Sequence, residues 1–164
     1  MKITRLVTYA LLVAAVSCSD ALGPVVPNPQ TDELETARQR WRAQNLHTYA
    51  FTLQRSCFCL STGPLYVLVL SDTVAGVIDF GTAQPLDRQF GKTIDELFAF
   101  IQTAIDLPAR HIRVEYDSLK GFPTEIEYDG AAQVADDEIF YRITDVHPIS
   151  PPAQAKAPLS KSTR

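Results

Sequence analysis

The sequence predicts an α+β domain: an antiparallel sheet of about six strands, in the order helix, three strands, helix, three strands, covered on one face by two helices. Three observations carry that expectation. Apolar residues recur at helical spacing in two stretches and at every second position in several others. The helical stretches open with recognisable caps, and the strand-like runs are joined by short polar links. One-faced helices and one-faced strands then bury their apolar sides against each other as two layers. With 164 residues, 46% of them apolar, and a mean hydropathy near zero, the chain suits one domain with one core.

The first helix is expected from an N-cap at Thr31, with Asp32, Glu33 and Glu35 in the first turn, where the helix dipole favours negative charge. Leu34, Ala37 and Trp41 form its apolar stripe, and it should end near Asn45. Trp41, the only tryptophan, reads as a packing anchor between helix and sheet. After His47 the period changes to two: Tyr49, Phe51 and Leu53 alternate with Ala50, Thr52 and Gln54, and Cys57 and Cys59 continue the same parity. Leu65 to Leu70 is a continuous apolar run, expected to be a more deeply buried strand, and Ser71-Asp72 turns it into a third strand, Val74 to Phe80.

A loop from Gly81 to Lys92 leads to Thr93-Ile94-Asp95-Glu96, a capping box. The second helix carries Ile94, Leu97, Phe98, Ile101 and Ile105 on one face and stops before Pro108. Three strands follow, through Ile112-Val114-Tyr116, Ile126-Tyr128 and Ile139-Tyr141-Ile143, with a hairpin loop at Asp117 to Gly121. Pro123 can open its strand because that position need not donate to the ladder. No residue-level repeat links the two halves.

The ends read differently. Lys2 and Arg5 precede an apolar run from Leu6 to Val16, as in an export signal, and the run is too short to span a bilayer. Ala15-Val16-Ser17-Cys18 resembles the bacterial lipobox, in which cleavage before the cysteine frees its thiol to carry a diacylglyceryl group. That family pattern usually has Leu where this chain has Ala15, and an ordinary cleaved signal leaving a free Cys18 is the alternative. The expected organisation is a signal peptide over 1–17, a lipidated Cys18 with a Pro-rich tether over 18–30, the α+β domain over 31–147 and a disordered tail over 148–164. Pro24, Pro27 and Pro29 favour an extended tether, and Pro148, Pro151, Pro152 and Pro158 sit among small and charged residues in the tail.

Losing the leader takes the formal charge from −4 to −6, because Lys2 and Arg5 leave and no carboxylate does. Such a balance argues against a nucleic-acid partner. Membrane attachment would come from the lipid: three acyl chains, each worth about 0.8 kcal/mol per buried methylene, anchor durably where one is marginal.

Trp41, Tyr49-Ala50-Phe51, Cys57-Phe58-Cys59, Leu97-Phe98, Val114-Glu115-Tyr116-Asp117, Gly121-Phe122-Pro123 and Asp136-Asp137-Glu138 together resemble the bacterial family DUF6174, over Leu34 to about Val146. The resemblance implies a secreted protein or lipoprotein and supplies no activity. The family's usual aromatic before the last proline is Tyr, and here it is Phe122.

Cys57 and Cys59 are the candidate disulfide or thiol site, since lipidation of Cys18 would leave them as the only thiols in an oxidising compartment. Two extended residues span about 7 Å, the upper limit of disulfide reach, so a bond needs a local bend and would be easily reduced. A disulfide that merely stiffens the strand end, or two buried thiols, is preferred to a redox centre, because no third residue is visibly placed to lower a thiol pKa. Metal binding lacks ligands: His47, His111 and His147 are isolated. The carboxylates Asp117, Glu125, Glu127, Asp129, Asp136, Asp137 and Glu138 read first as a solvated face. Asp117, Asp129, Asp136 and Asp137 are kept as a candidate acidic site, although Asp129-Gly130 lacks the ligand spacing of a calcium loop. No G-x-S-x-G, phosphate-binding glycine loop or H-E-x-x-H occurs.

The expectation is therefore an envelope lipoprotein facing the periplasm or the cell exterior, with no cofactor beyond its covalent lipid. Its domain would act by binding or by a structural role, toward a protein or small molecule that the sequence does not name. A thiol redox or metal-handling module through Cys57 and Cys59 is the second reading, and an enzyme using acidic residues near Asp117 the third.

Overall fold

The computed structural model describes residues 28–57, 63–107, 111–130 and 138–150. The leader, Cys18, most of the tether, Cys59, Asp136, Asp137 and residues 151–164 lie outside them.

The architecture is α+β: one seven-stranded antiparallel sheet with two helices on one face. Helix α1 spans Pro29–Ala43 and begins three residues before the expected start. Asn28, not Thr31, is the N-cap: its side-chain oxygen accepts from the Gln30 N–H at 3.1 Å, and its carbonyl accepts from Thr31 and Asp32. Pro29 was expected to block a helix, yet at the first helical position its missing N–H costs nothing and its fixed φ suits the turn. Leu34, Ala37 and Trp41 are buried as the stripe predicted. The helix gives out where Asn45 takes a left-handed φ of 51°, a conformation that Asn tolerates.

Strands β1 (Tyr49–Cys57), β2 (Leu65–Leu70) and β3 (Thr73–Asp79) form a meander. Ser71 and Asp72 both have positive φ, which is the geometry a tight two-residue hairpin needs. The expected deep burial of β2 is corrected. Leu65, Val67 and Val69 are buried, but Tyr66, Leu68 and Leu70 are only half-buried, because their side of the sheet has no helix layer over it.

The loop that follows contains a seventh strand, β4 (Pro85–Leu86), which pairs with Val77 and Ile78. A proline is acceptable there because β4 is an edge strand. A short 3₁₀ turn, Arg88–Phe90, leads on to α2 (Ile94–Asp106). Thr93 and Glu96 close the expected capping box: the Glu96 N–H donates to Thr93 Oγ1 at 3.1 Å and the Thr93 N–H to Glu96 Oε2 at 2.6 Å.

Strands β5 (His111–Tyr116), β6 (Pro123–Asp129) and β7 (Ile139–Pro148) complete the sheet in the order β4-β3-β2-β1-β7-β6-β5. β1 is thus the middle strand, and its pairing with β7, from Tyr49 opposite Pro148 to Cys57 opposite Ile139, joins the two meanders. β7 runs one residue beyond the expected domain end at 147.

Core packing centres on β1. Tyr49, Phe51 and Leu53 are almost fully buried, and Trp41 meets the Tyr49 ring edge-on at 5.3 Å and Phe122 at 6.4 Å. The Tyr49 hydroxyl accepts from the Ile94 N–H at 3.1 Å, so the middle strand itself satisfies one of the open donors at the start of α2. Burial pushes the Tyr49 phenol well above its ordinary pKa.

Candidate functional site

Most residues singled out in the sequence turn out to build the fold. Trp41, Tyr49, Phe51 and Phe122 form the aromatic core just described, and Phe98 of α2 stacks on Tyr116 of β5 at 6.4 Å. Burial raises the Tyr116 phenol, with Glu33 adding to the shift and Arg38 opposing it.

Asp117 is likewise structural. Its Oδ1 accepts from the N–H of Leu119 at 2.9 Å and of Lys120 at 2.6 Å, and its backbone N–H donates to the Phe122 carbonyl at 2.9 Å. These bonds wind the chain so that Gly121, at φ +85°, comes down onto α1. Lys120 Nζ fastens the same loop to the Val146 carbonyl at 2.8 Å.

The candidate acidic site is not assembled by what is described of it. Asp129 faces His111 at the other end of the β5–β6 hairpin, six residues of strand from Asp117, or roughly 20 Å at the usual rise. Asp136 and Asp137 lie outside the described residues. No group of three or more His, Cys, Asp or Glu side chains among the described residues is arranged to hold a metal ion.

Cys57 ends β1 half-buried and is disulfide-bonded. The chain's other cysteines, Cys18 and Cys59, are outside the described residues. His47 is exposed, with Nδ1 2.8 Å from Asp72 Oδ2.

A cleft of about 550 Å³ lies at the end of the sheet where β1 and β6 finish and β5 and β7 begin. Ser56, Phe140 and Glu127 make one cross-strand row of its lining, and His111 with Asp129 makes another beside Glu138. These two rows share the parity that points away from the helices. The row between them, Cys57, Ile139 and Tyr128, turns toward the helix layer. Among the described residues, no lining group comes from α1 or α2 and six of the nine lie on the outward rows, so the cleft sits at the sheet end and opens mainly on the uncovered face.

Charge on that face is arranged as a ladder. Arg142 Nη2 lies 2.8 Å from Glu125 Oε1, and Arg113 Nη2 lies 2.8 Å from Glu115 Oε1 but only reaches Glu127 at 3.9 Å. The Arg142 guanidinium also sits 5.4 Å from the Phe140 ring centre. On the helix side of the same strand end, Arg55 lies over the Tyr141 ring at 6.0 Å, and its buried Nε has no hydrogen-bond partner among the described residues. Burial raises the Tyr141 phenol and Arg55 acts against that rise.

Of the residues singled out from the sequence, Asp129 lies in this cleft and Cys57 at its rim, Glu127 and Glu138 belong to the acidic set expected to be a solvated face, and Phe140 is a lining residue that the sequence did not point to. Alternation does place Glu127, Asp129, Glu138 and Phe140 on one face. What gathers them is the β6–β7 register, which alternation does not supply.

No curated protein and no solved structure matches the chain. Among the described residues, no helix is long and apolar enough to cross a membrane. The profile of the family of unknown function DUF6174 matches residues 33–148, a span that takes in α1 from its fifth residue, all of α2, all seven strands and the described lining of the cleft, and the chain belongs to that family.

Proposed function

We propose that this chain is an exported, lipid-anchored protein of the bacterial envelope whose single α+β domain works by binding, through the open-face cleft, without a catalytic step. The leader anatomy and the Cys18 context support the address. The cleft carries the binding reading: its volume lies in the range of small-molecule sites, and it is lined by an aromatic ring with a few polar groups around it. An enzyme working near Asp117 is disfavoured, because both Asp117 backbone groups and its Oδ1 are already spent on closing the loop.

The test is a small-molecule screen read by backbone amide shifts on the mature domain. Binding predicts compounds whose shifts cluster at Ser56, His111, Glu127 and Phe140 and vanish in Phe140→Ala. A broad library that leaves those amides unmoved while the fold is intact would sink the reading. The address is tested by mass spectrometry of the membrane fraction, which should find an acylated N-terminal Cys18 that Cys18→Ala removes. An unacylated chain in the soluble fraction would overturn it.

One observation favours thiol redox chemistry as a second reading: a disulfide-bonded Cys57 sits at the rim of the same cleft. Thiol counting before and after mild reduction separates the two. A bridge that opens only under strong reductant belongs to the binding reading, and one in ready exchange with a dithiol belongs to the redox reading.

A further inference from the structure

Resting on the binding reading above, we propose that the cleft takes a small organic cation with an apolar body, such as a primary ammonium on a short hydrocarbon or aryl arm. The lining is mainly apolar in character, and Phe140 of β7 is its aromatic ring on the uncovered face, so it suits a hydrocarbon portion. Among the described lining residues are three carboxylates, Glu127, Asp129 and Glu138, and one titratable nitrogen base, His111.

Among the described residues these carboxylates are only weakly paired. Arg113 is held by Glu115 at 2.8 Å and approaches Glu127 only to 3.9 Å, and neither Asp129 nor Glu138 forms an ion pair with any described residue. An anion entering the cleft meets their repulsion, and a neutral apolar guest must desolvate them without return. A cation does neither. It also finds an aromatic ring whose capacity to accept a cation is visible in the Arg142 contact at 5.4 Å, while the 2.8 Å bond to Glu125 anchors that arginine away from the acidic row. A bare metal ion is a poorer occupant, since no three His, Cys, Asp or Glu side chains among the described residues are arranged to hold one and much of the lining is hydrocarbon.

The experiment titrates the full mature domain, disulfide intact, with 4-phenylbutylammonium, its neutral isostere 4-phenylbutanol and the anion 4-phenylbutanoate, following amide shifts and heat at low and moderate salt. The ammonium should bind at least about tenfold more tightly than the alcohol, and the anion should bind least. Added salt should weaken the ammonium and leave the alcohol unchanged. The paired change Glu127→Gln with Asp129→Asn should bring the ammonium down to the level of the alcohol. Phe140→Leu, which keeps an apolar floor, should weaken the ammonium more than the alcohol. Both variants must first show the native amide spectrum, and Glu138→Gln stands in for the pair should it fail to fold. Equal affinity for alcohol and ammonium, or preference for the anion, overturns the cation assignment and leaves the binding reading standing. If none of the three probes moves a cleft amide, the cation assignment falls, and the wider screen above decides the binding reading by itself.

Discussion

Replacing Gly121 by alanine probes how the loop between β5 and β6 is seated. Gly121 adopts φ +85°, and a Cβ built there runs into the Ala37 carbonyl oxygen, with Arg40 Cβ at 2.7 Å and the Trp41 N at 3.0 Å. Two costs add. A left-handed conformation costs an L-residue about 1 to 2 kcal/mol. Overlap with atoms that cannot rotate away adds about 1 to 3 kcal/mol, since two of the three neighbours are helix backbone. The expected loss is thus roughly 2 to 5 kcal/mol, or a fall in Tm of ~8 to 20 °C at ~4 °C per kcal/mol for a domain of this size. Urea unfolding is the assay, and the midpoint should drop with the slope unchanged. Gly63→Ala is the control: a Cβ there meets nothing within 4 Å, so its effect should stay within about 0.5 kcal/mol. Gly121→Asn separates the two costs, because Asn tolerates the backbone angle but brings the same Cβ. If Gly121→Ala unfolds within about 0.5 kcal/mol of the parent, the loop is not lying on α1 and the account of Asp117 as its organiser fails with it.

Tyr49→Phe should cost about 1 to 3 kcal/mol by leaving the Ile94 N–H buried without its acceptor, and amide exchange at Ile94 should accelerate; unchanged exchange there would refute the assignment. Asp117→Ala should lose about 1 to 3 kcal/mol while Asp117→Asn, which keeps the Oδ1 acceptor, stays closer to the parent in urea unfolding; equal losses would mean that charge, not geometry, is what the loop needs. Thr93→Ala should cost about 1 kcal/mol in the same assay by opening the capping box of α2. Burial raises the phenols of Tyr49, Tyr116 and Tyr141 in the folded chain. The unfolded chain therefore releases those protons first, so stability is fully present below about pH 10 and drains as pH rises beyond it, at up to ~1.4 kcal/mol per pH unit per tyrosine and less for half-buried Tyr116. Urea unfolding between neutral and strongly alkaline pH should show the decline, and Tyr141→Phe should flatten it.

The elements that read correctly from the chain are those whose causes are local. The Thr93–Glu96 box, the stripe on α2, the buried parity of Tyr49, Phe51 and Leu53 and the turn at Ser71-Asp72 each depend on residues within a few positions of one another. The misreadings have non-local causes. Pro29 opens α1 because Asn28 caps it, and the helix then holds on through the burial of Leu34 and Trp41 and through Gln30 Nε2, which donates to the Ile112 carbonyl at 2.8 Å, far along the chain. Pro85 joins the sheet because it falls at an edge, a fact about neighbours rather than about proline. The half-exposed side of β2 follows from having helices on one face only.

Hydropathy period, caps and turns were enough to specify two amphipathic helices, one-faced strands and the side each strand buries, because each is settled by hydrogen bonds and sterics within a turn or two of backbone. Which strand lies beside which, and therefore that β1 meets β7, that Gly121 rests on α1 and that Glu127, Asp129 and Glu138 line one cleft with Phe140, came only from the folded chain. Those pairings join residues some 90 positions apart in β1 and β7, and they are chosen by the total apolar surface that one arrangement of the whole chain removes from water.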